Sequence, residues 1–254
     1  MVNLLEKQTV VVIGGSSGIG FEVAKHVLET TKANVVVASS KEERVQKAVS
    51  SLSSLGKDRV RGYVLDVSDS ANLEKGVTEF YEKIGTINHL VYTAGDPGFE
   101  FMTMDQHEQA RAEKIFKIRY WSMLECVKLV KSRMPQSRES SITFTSSTAD
   151  VRPSAGWILV GTGVTGALKA MARGLAVELA PVRVNCVSPG IVDTSLWDWA
   201  LPDIKPAVYK QYEEKSPTKS VGYPDEIAEA YGYCIRCKHV TGTSLTVDGG
   251  ATLV

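Results

Sequence analysis

Charge of one sign, long apolar runs and cysteine are what this sequence is short of. Lysine plus arginine and aspartate plus glutamate number 29 each, giving a formal net charge of zero. No basic or acidic field therefore points to nucleic acid or to an anionic membrane surface as a partner, and a small molecule is expected instead. No apolar stretch approaches the roughly 20 residues a bilayer-crossing helix needs, and no secretory leader is recognisable. The four cysteines (Cys126, Cys186, Cys234, Cys237) accordingly read as reduced thiols in a cytoplasmic protein, not as a disulfide framework. Cys234 and Cys237 are spaced C-x-x-C with His239 nearby, but there is no second ligand pair and the segment has a helical pattern, so no metal site is expected. Repeats, low-complexity tracts and linkers are missing too. One domain is expected over residues 1–254, interrupted only by a lid-like insertion at about 195–224.

What is present is alternation. The continuous apolar run "TVVVIGG" (9–15) and the strand-like segments "NVVVASS" (34–40), "NHLVYTAG" (88–95) and "SITFTSS" (141–147) alternate with amphipathic stretches of helical period. Strands that are apolar throughout are buried on both faces, which implies parallel strands under two layers of helices: an α/β, doubly wound sheet. Between "NHLVYTAG" and "SITFTSS" a long helical region runs through Met134.

The turn "GGSSGIG" (Gly14 to Gly20) follows the first strand and opens a helix. That context suits backbone approaching a pyrophosphate at a helix N-terminus. With Leu65-Asp66-Val67, Thr93-Ala94-Gly95, Thr145-Ser146-Ser147, the run Arg183 to Thr194 and the run Val240 to Gly250, it forms six motifs in order along nearly the whole chain. In this order they resemble the short-chain dehydrogenase/reductase family. The resemblance implies a Rossmann fold, a dinucleotide and a homodimer or homotetramer. It places the cofactor against Gly14, Ser16, Ser17, Gly18, Ile19, Gly20, Asp66, Val67, Thr93, Ala94 and Gly95. On the nicotinamide side it adds Pro189, Gly190, Ile191, Val192 and Thr194, and it puts the catalytic serine at Ser147.

Cofactor choice follows from charge. An NAD-selective site of this kind ends its second strand in an acid that bonds the ribose 2′-hydroxyl. Here the strand runs into Ser39, Ser40, Lys41 and, one turn on, Arg44. NADPH and NADP+ are therefore expected, with Ser39, Ser40 and Arg44 at the 2′-phosphate. The alternative is that Lys41 and Arg44 belong to a solvated helix start with Glu42 and Glu43.

The family's working pair, Tyr-x-x-x-Lys, is missing. Counting back from "GALKAMARGLAVELA" puts the tyrosine's place at Gly161 and the lysine's at Thr165, and no tyrosine in the chain is followed four residues later by lysine. The family's helix asparagine aligns with Arg119 and the asparagine of its Asn-Ala-Gly with Thr93. The dinucleotide cradle is retained while the acid–base machinery is gone. Reducing a carbonyl builds alkoxide charge and needs an acid; hydride delivered to C=N⁺ leaves a neutral amine and needs none. An iminium or another activated C=N or C=C bond is thus the expected substrate group, with a non-redox cyclase or isomerase and a non-catalytic NADP(H)-binding protein as alternatives.

Candidates for the altered chemistry are Ser147, Arg119, Asp150 and Ser154. Asp150, three residues past Ser147, is a carboxylate that would favour a cation, or else a turn cap. Arg119 would meet a substrate oxygen or brace the Asp150 loop, or else lie on a solvated face. Lys169, one turn beyond Thr165 on the same helical face, is expected as a surface lysine, the alternative being that it reaches inward. Trp157, Trp197 and Trp199, together with Tyr209, Tyr212, Phe99 and Phe101, fall in segments that should rim the site and suggest a bulky aromatic substrate. The lost pair, the arginine and the run Pro153 to Trp157 resemble the fungal branch that includes reductase/Diels–Alderases of prenylated indole alkaloid pathways. That branch is thought to rely on an arginine and a loop aspartate. Here the aspartate's place is Ser154, so Asp150 would have to substitute for it in a cycloaddition.

Overall fold

A computed structural model describes residues 4–95, 103–156, 162–200 and 202–254, with the side chains of 199 and 200 outside the description. Among these residues a sheet of seven parallel strands runs in the order β3-β2-β1-β4-β5-β6-β7. The strands are β1 (Thr9–Ile13), β2 (Asn34–Ser39), β3 (Val60–Val64), β4 (His89–Tyr92), β5 (Ser141–Thr145), β6 (Arg183–Pro189) and β7 (Ser244–Val247). The order reverses between β1 and β4, and their carboxyl ends open the crevice where ligands bind in sheets of this type.

Burial explains the strand pattern. Every residue of β1, β4 and β6 is buried, because helices cover both faces. On one side lie α3 (Leu73–Ile84), α4 (Gln109–Phe116), α5 (Met123–Val130) and α6 (Thr165–Glu178), packed on Val11, Leu90, Ile142, Phe144 and Val184. On the other lie α1 (Gly18–Thr30), α2 (Glu42–Gly56) and α9 (Pro224–Arg236), packed on Val10, Val12, Val35, Val37 and Val187. The segment between β6 and α9 holds two further helices, α7 (Ser195–Ala200) and α8 (Lys205–Lys215), and returns to the sheet through a bridge between Val192 and Gly222.

The long helix expected through Met134 is not continuous. A π-helical turn, Lys117–Ser122, separates α4 from α5. Side chains of the sheet layer hold it: the Tyr92 hydroxyl donates to the Ile118 carbonyl at 2.6 Å, and Ser122 Oγ donates to the Val67 carbonyl at 2.6 Å. The extra residue in the turn shifts which side chains face inward, and apolar periodicity does not reveal it.

Candidate active site

The crevice is built first from backbone. Gly14 has φ of +88°, and a Cβ there would fall 2.6 Å from the Ala94 amide nitrogen, so only glycine lets the β1 turn pass so close to the end of β4. Thr93 locks the approach, its amide and Oγ1 both donating to the Ile13 carbonyl, at 2.8 and 3.1 Å. At the start of α1, Ser17 is extended and makes no side-chain capping bond, leaving first-turn N–H groups of Gly18, Ile19 and Gly20 to meet an anion. Thr194 stands over this turn, its Cγ2 3.5 Å from where a Cβ of Gly18 would lie. Ser16 Oγ donates to Ser39 Oγ at 2.8 Å, joining the phosphate turn to the end of β2, where no acid stands. Ser40 and Arg44 are exposed beside it. Asp66 is exposed after β3 and accepts from the Ser68 amide and hydroxyl, at 2.9 and 2.7 Å, while Val67 is buried. Pro189, Gly190, Ile191 and Val192 continue β6 over the same edge, with the Gly190 amide donating to the Val247 carbonyl at 2.9 Å.

These features fit a phosphorylated dinucleotide: close backbone approach, an uncapped helix N-terminus and no carboxylate at the 2′ side. They bring together residues from β1, β2, β4 and β6 that lie far apart in sequence.

The wall facing the nicotinamide end carries the departures. Arg119 projects from the π-helical turn, and its guanidinium lies against Gly95: a Cβ on Gly95 would fall 2.8 Å from one terminal nitrogen and 2.9 Å from the central carbon. It is half-buried at the end of β4, not on a solvated face. Ser147 lies in a segment tied to the β6 edge by the Thr148 amide, which donates to the Pro189 carbonyl at 3.1 Å; its own Oγ accepts from the Ala149 amide at 3.2 Å. Ser154 is exposed farther along this loop. Thr165, at the family lysine's place, is buried, and its Oγ1 has no hydrogen-bond partner.

Lys169 departs from the sequence expectation. It is not a surface side chain. Its ammonium bonds Asp150 Oδ1 at 2.5 Å, with 11% of the lysine side chain and 17% of the aspartate's exposed. Asp150 packs on the first turn of α6, its Cβ 3.9 Å from the Cβ position of Gly166. The sequence shows the two residues 19 apart with only the helical spacing of Thr165 and Lys169 as a signal, and the pairing needs the loop to fold back on α6.

No described tyrosine near the strand ends is placed to replace the missing acid. Burial pushes the Tyr92 and Tyr231 phenols well up, Tyr92 donating to the Ile118 carbonyl and Tyr231 sharing a hydrogen bond with Thr145 Oγ1 at 2.6 Å. Tyr209 donates to Asp193 Oδ1 at 3.1 Å and Tyr212 to the Asp248 carbonyl at 2.5 Å. Between β6 and α9 Trp197 meets Tyr209 edge-on with ring centroids 5.7 Å apart, and Lys205 bridges Asp193 and Asp198 at 3.0 and 2.5 Å. Trp157, Gly161, Phe99, Phe101 and the Trp199 side chain lie outside the described residues. The four cysteines are free thiols, Cys237 part-buried and the others buried. Among the described residues no helix is long and apolar enough to cross a membrane.

Comparison with known proteins gives a consistent picture. A family model described as an SDR-like Rossmann domain matches residues 1–254. The short-chain dehydrogenase/reductase ucsE of Acremonium sp is 38% identical over 259 residues, covering 98% of this chain and 97% of its own. The short-chain dehydrogenase/reductase malC of Malbranchea aurantiaca is 34% identical over 263 residues, covering 99% and 97%. The solved structure of the MalC reductase/Diels–Alderase superposes with a TM-score of 0.91, covering 99% of both chains at 33% identity. A small-chain dehydrogenase solved in complex with NADPH superposes at 0.78 with 30% identity, covering 98% of this chain and 100% of that one.

Proposed function

The chain belongs to the short-chain dehydrogenase/reductase family, and from that premise we propose that it is an NADPH-dependent reductase of an iminium, or of another activated C=N or C=C bond, in a bulky aromatic secondary metabolite. The observation that carries this reading is the asymmetry of the site. The glycine turn suits a dinucleotide, while Thr165, which aligns with the family's lysine, has a buried, unpartnered hydroxyl, and the phenols of Tyr92, Tyr209, Tyr212 and Tyr231 are each hydrogen-bonded within the protein.

Bound NADPH supplies hydride equivalents to the face of the substrate. Gly14, Ser16, Ser17, Gly18, Ile19 and Gly20 would hold the pyrophosphate, and Ser39, Ser40 and Arg44 the 2′-phosphate. Asp66 and Val67 would flank the adenine, Thr93, Ala94 and Gly95 the ribose side, and Pro189 to Val192 with Thr194 the nicotinamide. Ser147, Arg119 and Asp150 would line the reacting face, with Ser154, Trp157, Trp197 and Trp199 around the substrate body. Arg119 beside Gly95 is positioned to orient a substrate oxygen by a forked pair of hydrogen bonds. The likeness to a structure titled a reductase/Diels–Alderase supports the reductase part of this reading. A homo-oligomer is proposed from the family resemblance.

The test is NADPH oxidation with N-methyl-3,4-dihydroisoquinolinium against a panel of ketones and aldehydes. Turnover of the iminium with carbonyl rates lower by about a hundredfold or more is expected from the missing acid. Family-typical rates on any ketone would refute it. A second reading, cyclisation without net redox change, draws on the reductase/Diels–Alderase named among the relatives; substrate conversion with no NADPH consumed would favour it.

A further inference from the structure

One turn beyond Thr165, the position that aligns with the family's lysine, α6 carries a lysine with a counter-ion. Asp150 and Lys169 are in direct contact at 2.5 Å and largely withdrawn from solvent. Asp150 also abuts Gly166, the neighbour of Thr165, and Thr165 in turn holds the active-site loop through its carbonyl, which accepts from Ser146 Oγ at 3.0 Å. The pair thus lies within about one helical turn of the family lysine's place.

We propose that Asp150 and Lys169 are a charge-cancelling pair that sets the specificity of the site for cationic substrates. A free lysine beside the nicotinamide would repel an iminium; a lysine neutralised by a carboxylate presents only a dipole. Neither residue need touch the substrate. Asp150 acts through Lys169, and Lys169 is a specificity determinant because its charge becomes visible whenever Asp150 is removed. The inference rests on the reading of the site as one for C=N⁺ groups, and it assigns the selection of that charge to two residues outside the family's machinery.

Binding separates it from catalysis. The probes are N-methylisoquinolinium, a flat cation that is not to be turned over, and 2-methylnaphthalene, its neutral counterpart of the same shape, each titrated into the full-length protein saturated with NADP+. An uncancelled unit charge roughly 8 Å from the ligand, at an effective dielectric of about 20 to 40, changes a cation's affinity about five- to thirtyfold. Asp150→Asn should weaken N-methylisoquinolinium by that factor and leave 2-methylnaphthalene unchanged. Lys169→Met should strengthen the cation's binding, the double variant should return to within about twofold of the parent, and Lys169→Arg should behave as the parent. Opposite signs for the two single variants are what mere bracing of the loop cannot produce. If both single variants weaken both probes alike, if neither moves the cation, or if the parent binds neither probe, the proposal is wrong. Should Lys169→Met fail to fold, Lys169→Gln carries the same expectation. Charge-dependent binding with no iminium reduction would sink the reductase reading and leave this one standing; reduction with no charge dependence would do the reverse.

Discussion

Placing an acid at the end of β2 should invert the cofactor preference. Ser39 closes that strand, half-buried, with Ser16 Oγ donating to its hydroxyl at 2.8 Å. In Ser39→Asp the carboxylate accepts the same hydrogen bond, so the turn keeps its shape and the change is one of charge. A carboxylate ~5 Å from a 2′-phosphate of charge about −1.5 to −2, at an effective dielectric of about 60 for so open a position, is opposed by about 2 kcal/mol. The lost serine bond to a charged oxygen removes about 1.5 kcal/mol more. NADPH should bind some two to three powers of ten more weakly. For NADH the new carboxylate accepts from the ribose 2′-hydroxyl and improves affinity about tenfold, since a hydrogen bond to a charged group contributes about 1.5 kcal/mol. Titrations of quenched protein fluorescence with both nucleotides, at low and high salt, read the ratio directly, and the NADPH penalty should shrink with salt. Equal affinities in the parent, or a substitution that shifts both nucleotides alike, would place the 2′ position elsewhere and remove Ser39, Ser40 and Arg44 from the cofactor site.

Two expectations concern the scaffold that carries the crevice. Burial holds the His89 imidazole down to about 3 from an ordinary 6.5, between Ser141 Oγ and Gln8 Oε1 at 2.8 Å each. The unfolded chain binds this proton first, so the stability it governs is complete above pH 6.5 and is lost as pH falls toward 3, at up to about 1.4 kcal/mol per pH unit. In urea unfolding, the stability gap between the parent and His89→Gln should close by about 2.5 kcal/mol from pH 6.5 to 4.5, and parallel profiles would contradict the assignment. Arg183, 3% exposed, donates to the carbonyls of Arg138, Cys234, Ile235 and Val240 at 2.5 to 3.3 Å. Arg183→Met strands those acceptors and should cost about 3–5 kcal/mol, lowering Tm by about 10 °C in a thermal scan; a loss under ~1 kcal/mol would mean that water takes the arginine's place.

How much of this was legible in the sequence depended on whether the deciding interaction was local. Strands β1 and β2 declared themselves because burial on both faces makes their centres continuously apolar, β4 and β5 by apolar residues beside turn motifs, and the glycine turn because its spacing answers a backbone requirement. Strand β7 is only half-buried at the sheet edge, and the motif around it identified it better than its composition. The π-helical turn stayed hidden since its partners, the Tyr92 hydroxyl and the Val67 carbonyl, come from segments distant in sequence. Lys169 was misplaced for the same reason: a lysine on a helix flank reads as solvated until a carboxylate from another loop is folded against it. Arg119 could be assigned to the right end of the sheet by motif order, but its packing on Gly95 is a tertiary fact.

The cradle and the acid pair differ in what else they do for the protein, and this explains how one could be lost without the other. Gly14 allows two strands to approach; Thr93 ties β4 to β1; the Pro189 carbonyl receives the Thr148 amide and holds the serine loop. Removing any of these strains the fold as well as the cofactor site. Thr165, which aligns with the family's lysine, carries no such side-chain duty: its backbone carbonyl, available from any residue, makes the structural bond to Ser146, while the side-chain hydroxyl bonds nothing. Substitution there costs chemistry, not folding. The chemistry it costs is protonation of a developing alkoxide, a contribution of about 3–4 kcal/mol to a carbonyl reduction and of nothing to an iminium's. On the proposed reading, a site with no lysine at Thr165 and a paired one at Lys169 would oppose a cation less than a site that keeps the family's pair. A family site stripped of its pair is for that reason better suited to a cation than the intact one.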